Sequence, residues 1–454
     1  MGDFKVDQAI LNGVHCYTGE EDYVEPPLAV KEKLSWFQDQ KLALMVHMGL
    51  YCEIGVAASW GLSDYDASWS RKDVEDWPMT GQEYREMYFG LNHSFNPVRF
   101  HPEQWAQLAA ENGFKYIIFT AKHHDGFCLW DTKETDYKTT SPDCPYSRNK
   151  NADIVKSVFD AFRKKGLGTA VYFSKPDWHS EYYWAEGMEH SGETWRMTSY
   201  DPAEYPELWE KFVQYTQNQI LELATQYGNV DILWLDGGQV NPKTGLDIRL
   251  GEVVEKIRKR NPALIVADRT AGGEYENYVT PEQTVPERAM NIPWESNLSL
   301  GQNYTYRFDD TYKDLETVIR LLIDVVCKGG NLALNISPQP DGRFPKQAVE
   351  IMKGLGGWLG KYGEAIYGTR VCPPYKKGNA AFTRNEKNVF CLVMADSEIP
   401  QNEILIPYPG KVSGIELMNT GKTVEFEQTA EGIRVYGNKV RDETALVFKL
   451  NVSL

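Results

Sequence analysis

The stretch Asn229–Gly238, NVDILWLDGG, decides how the rest of the chain is read. Val230, Ile232, Leu233, Trp234 and Leu235 form an almost unbroken apolar run, with Asp231 its only polar interruption. Such a run suits a short strand covered on both faces, as in a parallel sheet surrounded by helices. It stops at Asp236, and Gly237-Gly238 turns the chain at once. A carboxylate therefore stands where a buried strand opens into a loop, the end of a parallel barrel at which chemistry sits. Asp before Gly-Gly is also ordinary turn chemistry, so the surroundings must decide.

On either side of this strand the chain alternates helix with strand. A short helix over Glu32–Gln40 leads into LALMVHMGLY (Leu42–Tyr51), a buried strand ending at His47. Helix Pro102–Gly113, with Pro in its first turn and Gly at its end, leads to strand Lys115–Phe127. Helix Ala152–Gly166 leads to strand Leu167–Ser174, and helix Pro206–Gly228 to the strand ending at Asp236. Helix Leu246–Arg260 then precedes strand Ala263–Arg269, and helix Asp314–Gly330 precedes strand Asn331–Ser337. Repeated units of this kind predict a TIM-like (β/α)8 barrel. An open doubly wound sheet competes less well, because no GxGxxG follows the first strand. The polar span Ala58–Asn96, rich in Trp, Asp and Ser, reads as an elaborated loop over a site.

After Tyr367 the period changes. VFCLVMA (Val389–Ala395), EILIPYP (Glu403–Pro409) and TALVFKL (Thr444–Leu450) are short runs separated by turn residues. They predict a small all-β sandwich. The expected organisation is an arm over 1–27, a catalytic barrel over 28–367 and the sandwich over 368–454.

A formal net charge of -16 argues against nucleic acid or an anionic membrane as the main partner. The seven cysteines, from Cys16 to Cys391, are widely spaced with no CxxC pair, which fits free thiols in a reducing compartment. The N-terminus has neither a basic n-region nor an apolar h-region, so a cytoplasmic protein is expected, or an exported one if a leader has been removed.

The predicted strand ends collect His47, His123, His124, Asp125, Tyr172, Trp234, Asp236 and Arg269. Adjacent histidines on an extended strand point to opposite faces, so they make a poor metal pair and no metal is expected. No GxSxG elbow is present, and no cysteine sits beside a plausible histidine partner, so a Ser or Cys nucleophile has little support. Imidazole, guanidinium, phenol and indole around a carboxylate suit a sugar, whose hydroxyls need polar partners and whose ring has an apolar face. Glycosidases generally need a second carboxylate, and PERAMNIPWESNLS (Pro286–Ser299) offers Glu287 and Glu295.

With these motifs in view, the sequence resembles the α-L-fucosidases of glycoside hydrolase family 29. The resemblance rests on WFQDQKLALMVHMGLY, KYIIFTAKHHDGFCLWDT, VDILWLDGG, WES and GGNLALNISPQPDG, and covers roughly Trp36–Tyr367. It implies retaining hydrolysis of terminal α-L-fucose from a fucosylated oligosaccharide or glycoconjugate, without a cofactor. It implies Asp236 as nucleophile and Glu295, after Trp294, as acid/base. It also implies fucose binding by His47, Trp60, His123, His124, Tyr172, Trp234 and Arg269. Two positions depart from the pattern. The family's His-Trp-Gly reads His47-Met48-Gly49, and the Glu of its Glu-Trp pair is Ser59, so Asp64 or Asp66 is expected to supply that carboxylate. The alternatives are a barrel glycosidase for another sugar, a metal-dependent hydrolase, and a fucose-binding protein without turnover.

Overall fold

The computed structural model describes residues 17–63, 70, 79–188, 195–394, 403–436 and 444–452. Its first part is a seven-stranded parallel sheet of order β5-β4-β3-β2-β1-β7-β6. The strands are β1 (Leu42–Val46), β2 (Tyr116–Lys122), β3 (Gly168–Ser174), β4 (Ile232–Asp236), β5 (Ile265–Asp268), β6 (Glu295–Ser299) and β7 (Asn331–Asn335). Helices α1 (Leu28–Gln40), α2 (Pro102–Glu111), α3 (Ile154–Lys164), α4 (Pro206–Thr225), α5 (Leu250–Arg258) and α6 (Leu315–Cys327) each precede a strand, and α7 (Lys346–Tyr362) follows β7. Pro at the first turn opens α2 and α4, and the Asp153 and Asp314 carboxylates cap α3 and α6.

Side chains alternate along every strand. Ala43, Met45, Tyr116, Ile118, Ala170, Tyr172, Ile232, Trp234, Ile265, Ala267 and Ala333 pack together inside the ring. Their neighbours Leu44, Ile117, Val171, Leu233, Val266 and Leu332 pack outward in the core that contains the helices. Period two thus puts Tyr172, Trp234 and Asp236 on the inner face. Small inner residues (Ala43, Ala170, Ala267, Ala333) leave room for the tyrosines and the indole. Helix α1 closes the lower end: Val30, Leu34 and Phe37 join the inner cluster. Phe37 stacks on Tyr278 with centroids 4.3 Å apart, and its carbonyl accepts from Asn331 at the start of β7.

The eighth place in the barrel is filled by irregular chain rather than a strand. Segment 275–283 lies between β5 and β6 and bonds to both. Asp268 N–H donates to the Tyr275 carbonyl and Asn277 N–H to the Val266 carbonyl on one side. On the other, Glu295 and Asn297 N–H donate to the carbonyls of Val279 and Pro281, and Gln283 N–H to that of Asn297. Single bridges Ala267–Glu276, Val279–Trp294 and Glu282–Asn297 record the same closure. The (β/α)8 expectation holds as a barrel with this substitution. Part of the expected loop 58–96 is helical, because Thr80 and Glu83 form a capping box that starts a helix at Gly81–Phe89.

From Arg370 onward the chain forms a six-stranded antiparallel sheet facing a three-stranded one. Phe382, Cys391, Val393, Ile404, Ile406, Ile433 and Val435 share the core between them. The six-stranded sheet also presents Phe390, Leu392, Ala445 and Val447 to the barrel's helical core. Both faces of Val389–Met394 are covered, which is why that strand reads as an unbroken apolar run. Salt bridges Lys376–Asp324 and Lys449–Glu364 tie the two parts together. No helix among the described residues is long and apolar enough to cross a membrane.

Candidate active site

A cavity of about 310 Å³ opens at the C-terminal ends of the barrel strands. His47, Trp60, His123, His124, Tyr172, Trp234, Asp236 and Arg269 all line it, with Arg196, Glu282, Gln283 and Tyr304. The sandwich lends none of the described lining residues. Three lining residues other than glycine, Ala58, Thr270 and Gln283, hold left-handed backbone at φ 51°, 61° and 50°. Strained backbone of this kind collects at working sites.

Strand β2 ends at Lys122, earlier than the sequence suggests, so His123 and His124 lie on a turn rather than on extended chain. Gly126, at φ 79°, lets that turn close, and its N–H donates to the His123 carbonyl. Both imidazoles therefore face the cavity, with centroids 4.4 Å apart. The turn is pinned from behind. Tyr88 donates to Asp125 at 2.6 Å, Trp178 N–H to the His124 carbonyl at 2.7 Å, and buried Lys122 pairs with Asp177 at 2.9 Å.

Asp236 ends β4 with both oxygens engaged. Arg269 Nη1 lies 2.7 Å from Oδ1, while Tyr172 donates its hydroxyl to Oδ2. His124 Nε2 is 3.8 Å from Oδ2. Burial alone would raise this carboxyl's pKa, but the Arg269 cation and the Tyr172 hydrogen bond hold it well below the usual carboxylate range. It is an anion facing the cavity. Ligand atoms of His123, His124 and Asp236 lie within 4.8 Å of one another, the one cluster among the described residues that could approach a metal ion. The Arg269 guanidinium on the same carboxylate would repel such an ion, so the arrangement suits an anionic nucleophile better.

The imidazoles are neutral. Burial pushes His47 and His124 down to about 4, and lowers His123 well below its ordinary value. Asn335 fixes the His47 tautomer: its Nδ2 donates to the Tyr304 carbonyl at 2.6 Å, so its Oδ1, 2.8 Å from His47 Nδ1, must accept. His47 Nε2 is then left as a bare acceptor for a hydroxyl. Ser59, which stands where a carboxylate was expected, bonds His123 Nδ1 at 2.6 Å. Asp64 and Asp66, the expected substitutes, lie outside the described residues. Met48 is buried and does not line the cavity, where Trp60 and Tyr304 supply aromatic faces.

Glu295 must be corrected. It begins β6, two residues before Asn297, which lines the cavity. That places it about 6–7 Å nearer the closed lower end of the barrel at the rise of a strand. There it is fully buried, accepting from the Tyr116 and Tyr278 hydroxyls. Burial raises it to about 7 against those hydrogen bonds. A carboxyl sealed in the floor cannot meet a leaving group at the mouth. Glu287, its competitor, is exposed and does not line the cavity.

The second carboxylate in the cavity is Glu282, on the segment that closes the barrel. It pairs with Nη2 of Arg269, whose Nη1 holds Asp236. Sequence reasoning missed it, because segment 275–283 carries no strand alternation to mark Glu282 as a strand-end carboxylate.

Two carboxylates in a barrel mouth, among neutral imidazoles and aromatic faces, define a glycoside-hydrolase site. Residues 19–364 match the model of the Alpha-L-fucosidase family, and the chain belongs to that family. It is 24% identical to an alpha-L-fucosidase of Dictyostelium discoideum over 395 residues, 82% of this chain and 79% of that protein. Alpha-L-fucosidase isoenzyme 1 from Paenibacillus thiaminolyticus superposes with a TM-score of 0.76 at 26% identity, over 94% of this chain and 100% of the other. The Thermotoga maritima alpha-fucosidase, solved with a mechanism-based inhibitor, gives 0.75 at 27% identity, with the same coverages.

Proposed function

We propose that this protein hydrolyses terminal α-L-fucosides with net retention, Asp236 acting as nucleophile and Glu282 as acid and base. The observation that carries the assignment is the Arg269 fork, which holds both carboxylates at one cavity. Two carboxyl groups held by one guanidinium at one cavity support the retaining reading, whose carboxylate pairs stand ~5–5.5 Å apart. In the first step Asp236 attacks the anomeric carbon while protonated Glu282 gives its proton to the leaving oxygen. In the second, Glu282 as carboxylate takes a proton from water, which attacks the same carbon and releases Asp236. His47 offers Nε2 as an acceptor for a sugar hydroxyl, and the neutral imidazoles of His123 and His124 line the same cavity. Trp234, under the Arg269 guanidinium at 4.9 Å, covers an apolar face.

An aryl α-L-fucoside followed by NMR tests this reading. α-L-Fucose should appear first and mutarotate afterwards, with turnover unchanged by chelator. β-L-Fucose as first product would refute the two-step route. The further proposals of a partner other than nucleic acid or membrane, and of a cytoplasmic site of action, draw support from the charge of -16 and from six described cysteines, all buried and unpaired.

A further inference from the structure

Beyond the catalytic centre, the cavity has a built outer wall. Loop 301–308 is stitched to loop 55–58 by Thr305, whose hydroxyl donates to the Val56 carbonyl at 2.7 Å and accepts from Ala58 N–H at 3.2 Å. Ala57, Ala58, Gln302, Asn303, Tyr304 and Thr305 line the cavity from these two loops. Three residues beyond Thr305, Phe308 lies across Gly55, where a Cβ would come within 2.6 Å of its ring. Tyr306 meets the same ring edge-on at 5.5 Å. Phe308 is nonetheless 68% exposed, more than any other aromatic among the described residues. The ring is backed by main chain and by a second ring, and it stands open to water three residues along the chain from the cavity-lining Thr305.

We infer that Phe308 is the stacking platform for the first sugar of the aglycone. The inference rests on the fucosidase reading above and extends it to the far side of the scissile bond. The loop that lines the cavity through Thr305 continues to Phe308, and the apolar face of a pyranose matches an exposed ring. Gln302 and Asn303, which line the cavity from the same loop, are neutral carboxamides, which suit the hydroxyls of an uncharged sugar. The favoured substrate class is therefore a fucoside of a neutral oligosaccharide, rather than of a small alcohol.

The test compares kcat/KM of wild type, Phe308→Ala and Phe308→Trp on a panel of fucosyl-lactoses and on α-L-fucosyl fluoride, which has no aglycone sugar. Phe308→Ala should lose roughly three- to ten-fold on the best oligosaccharide, the range expected of one aromatic stack. It should keep its rate on the fluoride, and Phe308→Trp should restore the oligosaccharide rate. Equal losses on both substrates, no loss on either, or a wild type active on the fluoride alone would overturn the platform. A wild type inactive on both would instead sink the fucosidase reading itself.

Discussion

Asp236 and Glu282 are joined through one side chain: Arg269 gives Nη1 to the first and Nη2 to the second. Neither carboxylate can move without disturbing the other's partner. The cation keeps Asp236 ionised, and the same side chain anchors Glu282 at the cavity.

Replacing the nucleophile should separate fold from chemistry. Asp236→Ala should cut kcat by roughly a thousand-fold or more, since no glycosyl ester can form. Azide should restore turnover by occupying the vacated side. Near-normal activity in the purified variant would end the assignment.

The two glutamates make opposite predictions about leaving groups. Glu282→Ala should hydrolyse dinitrophenyl fucoside, whose departure needs little protonation, once azide rescues the second step. It should be nearly inert on natural glycans. Glu295→Gln should treat both substrates alike. Should the leaving-group dependence follow Glu295 instead, the floor position described above is not its working position.

Glu295 should show itself in stability against pH. Its folded value, about 7, stands above the ordinary 4.5, so between these values the folded state binds the extra proton and stability falls as pH rises. The contribution is whole below about 4.5 and lost above about 7. At 1.36 kcal/mol per unit the loss is roughly 3 kcal/mol. Thermal melts should therefore decline across this window in wild type and flatten in Glu295→Gln. Parallel profiles for the two proteins would show that Glu295 does not titrate there.

Ser59→Ala should lower kcat/KM for fucosides by roughly five- to a hundred-fold, the range for losing one buried hydrogen bond, because His123 loses the hydroxyl that orients it at Nδ1. Circular dichroism should be unchanged. Wild-type kinetics would mean that the Ser59 contact does not orient the imidazole.

Much of this was legible because strands advertise themselves. The apolar run before Asp236 and the strand before His123 marked both the barrel and the end of it that carries chemistry. The unreadable parts lie where periodicity vanishes. Segment 275–283 has no alternation, since it bonds to its neighbours only in places, and so neither the eighth wall nor Glu282 showed. Trp294-Glu295 misled for a positional reason. ESNLS is a strand, Glu295 is its first residue, and the rule that puts chemistry at strand ends excludes strand starts. Ser59 was visible as a departure, but its bond to a histidine 64 residues away was not.

Helix α1 plugs the barrel's floor, and this shapes traffic as well as packing. The pocket is a cul-de-sac, so fucose enters anomeric carbon outward and only a chain end fits. The released aglycone and the incoming water must then use one doorway in turn.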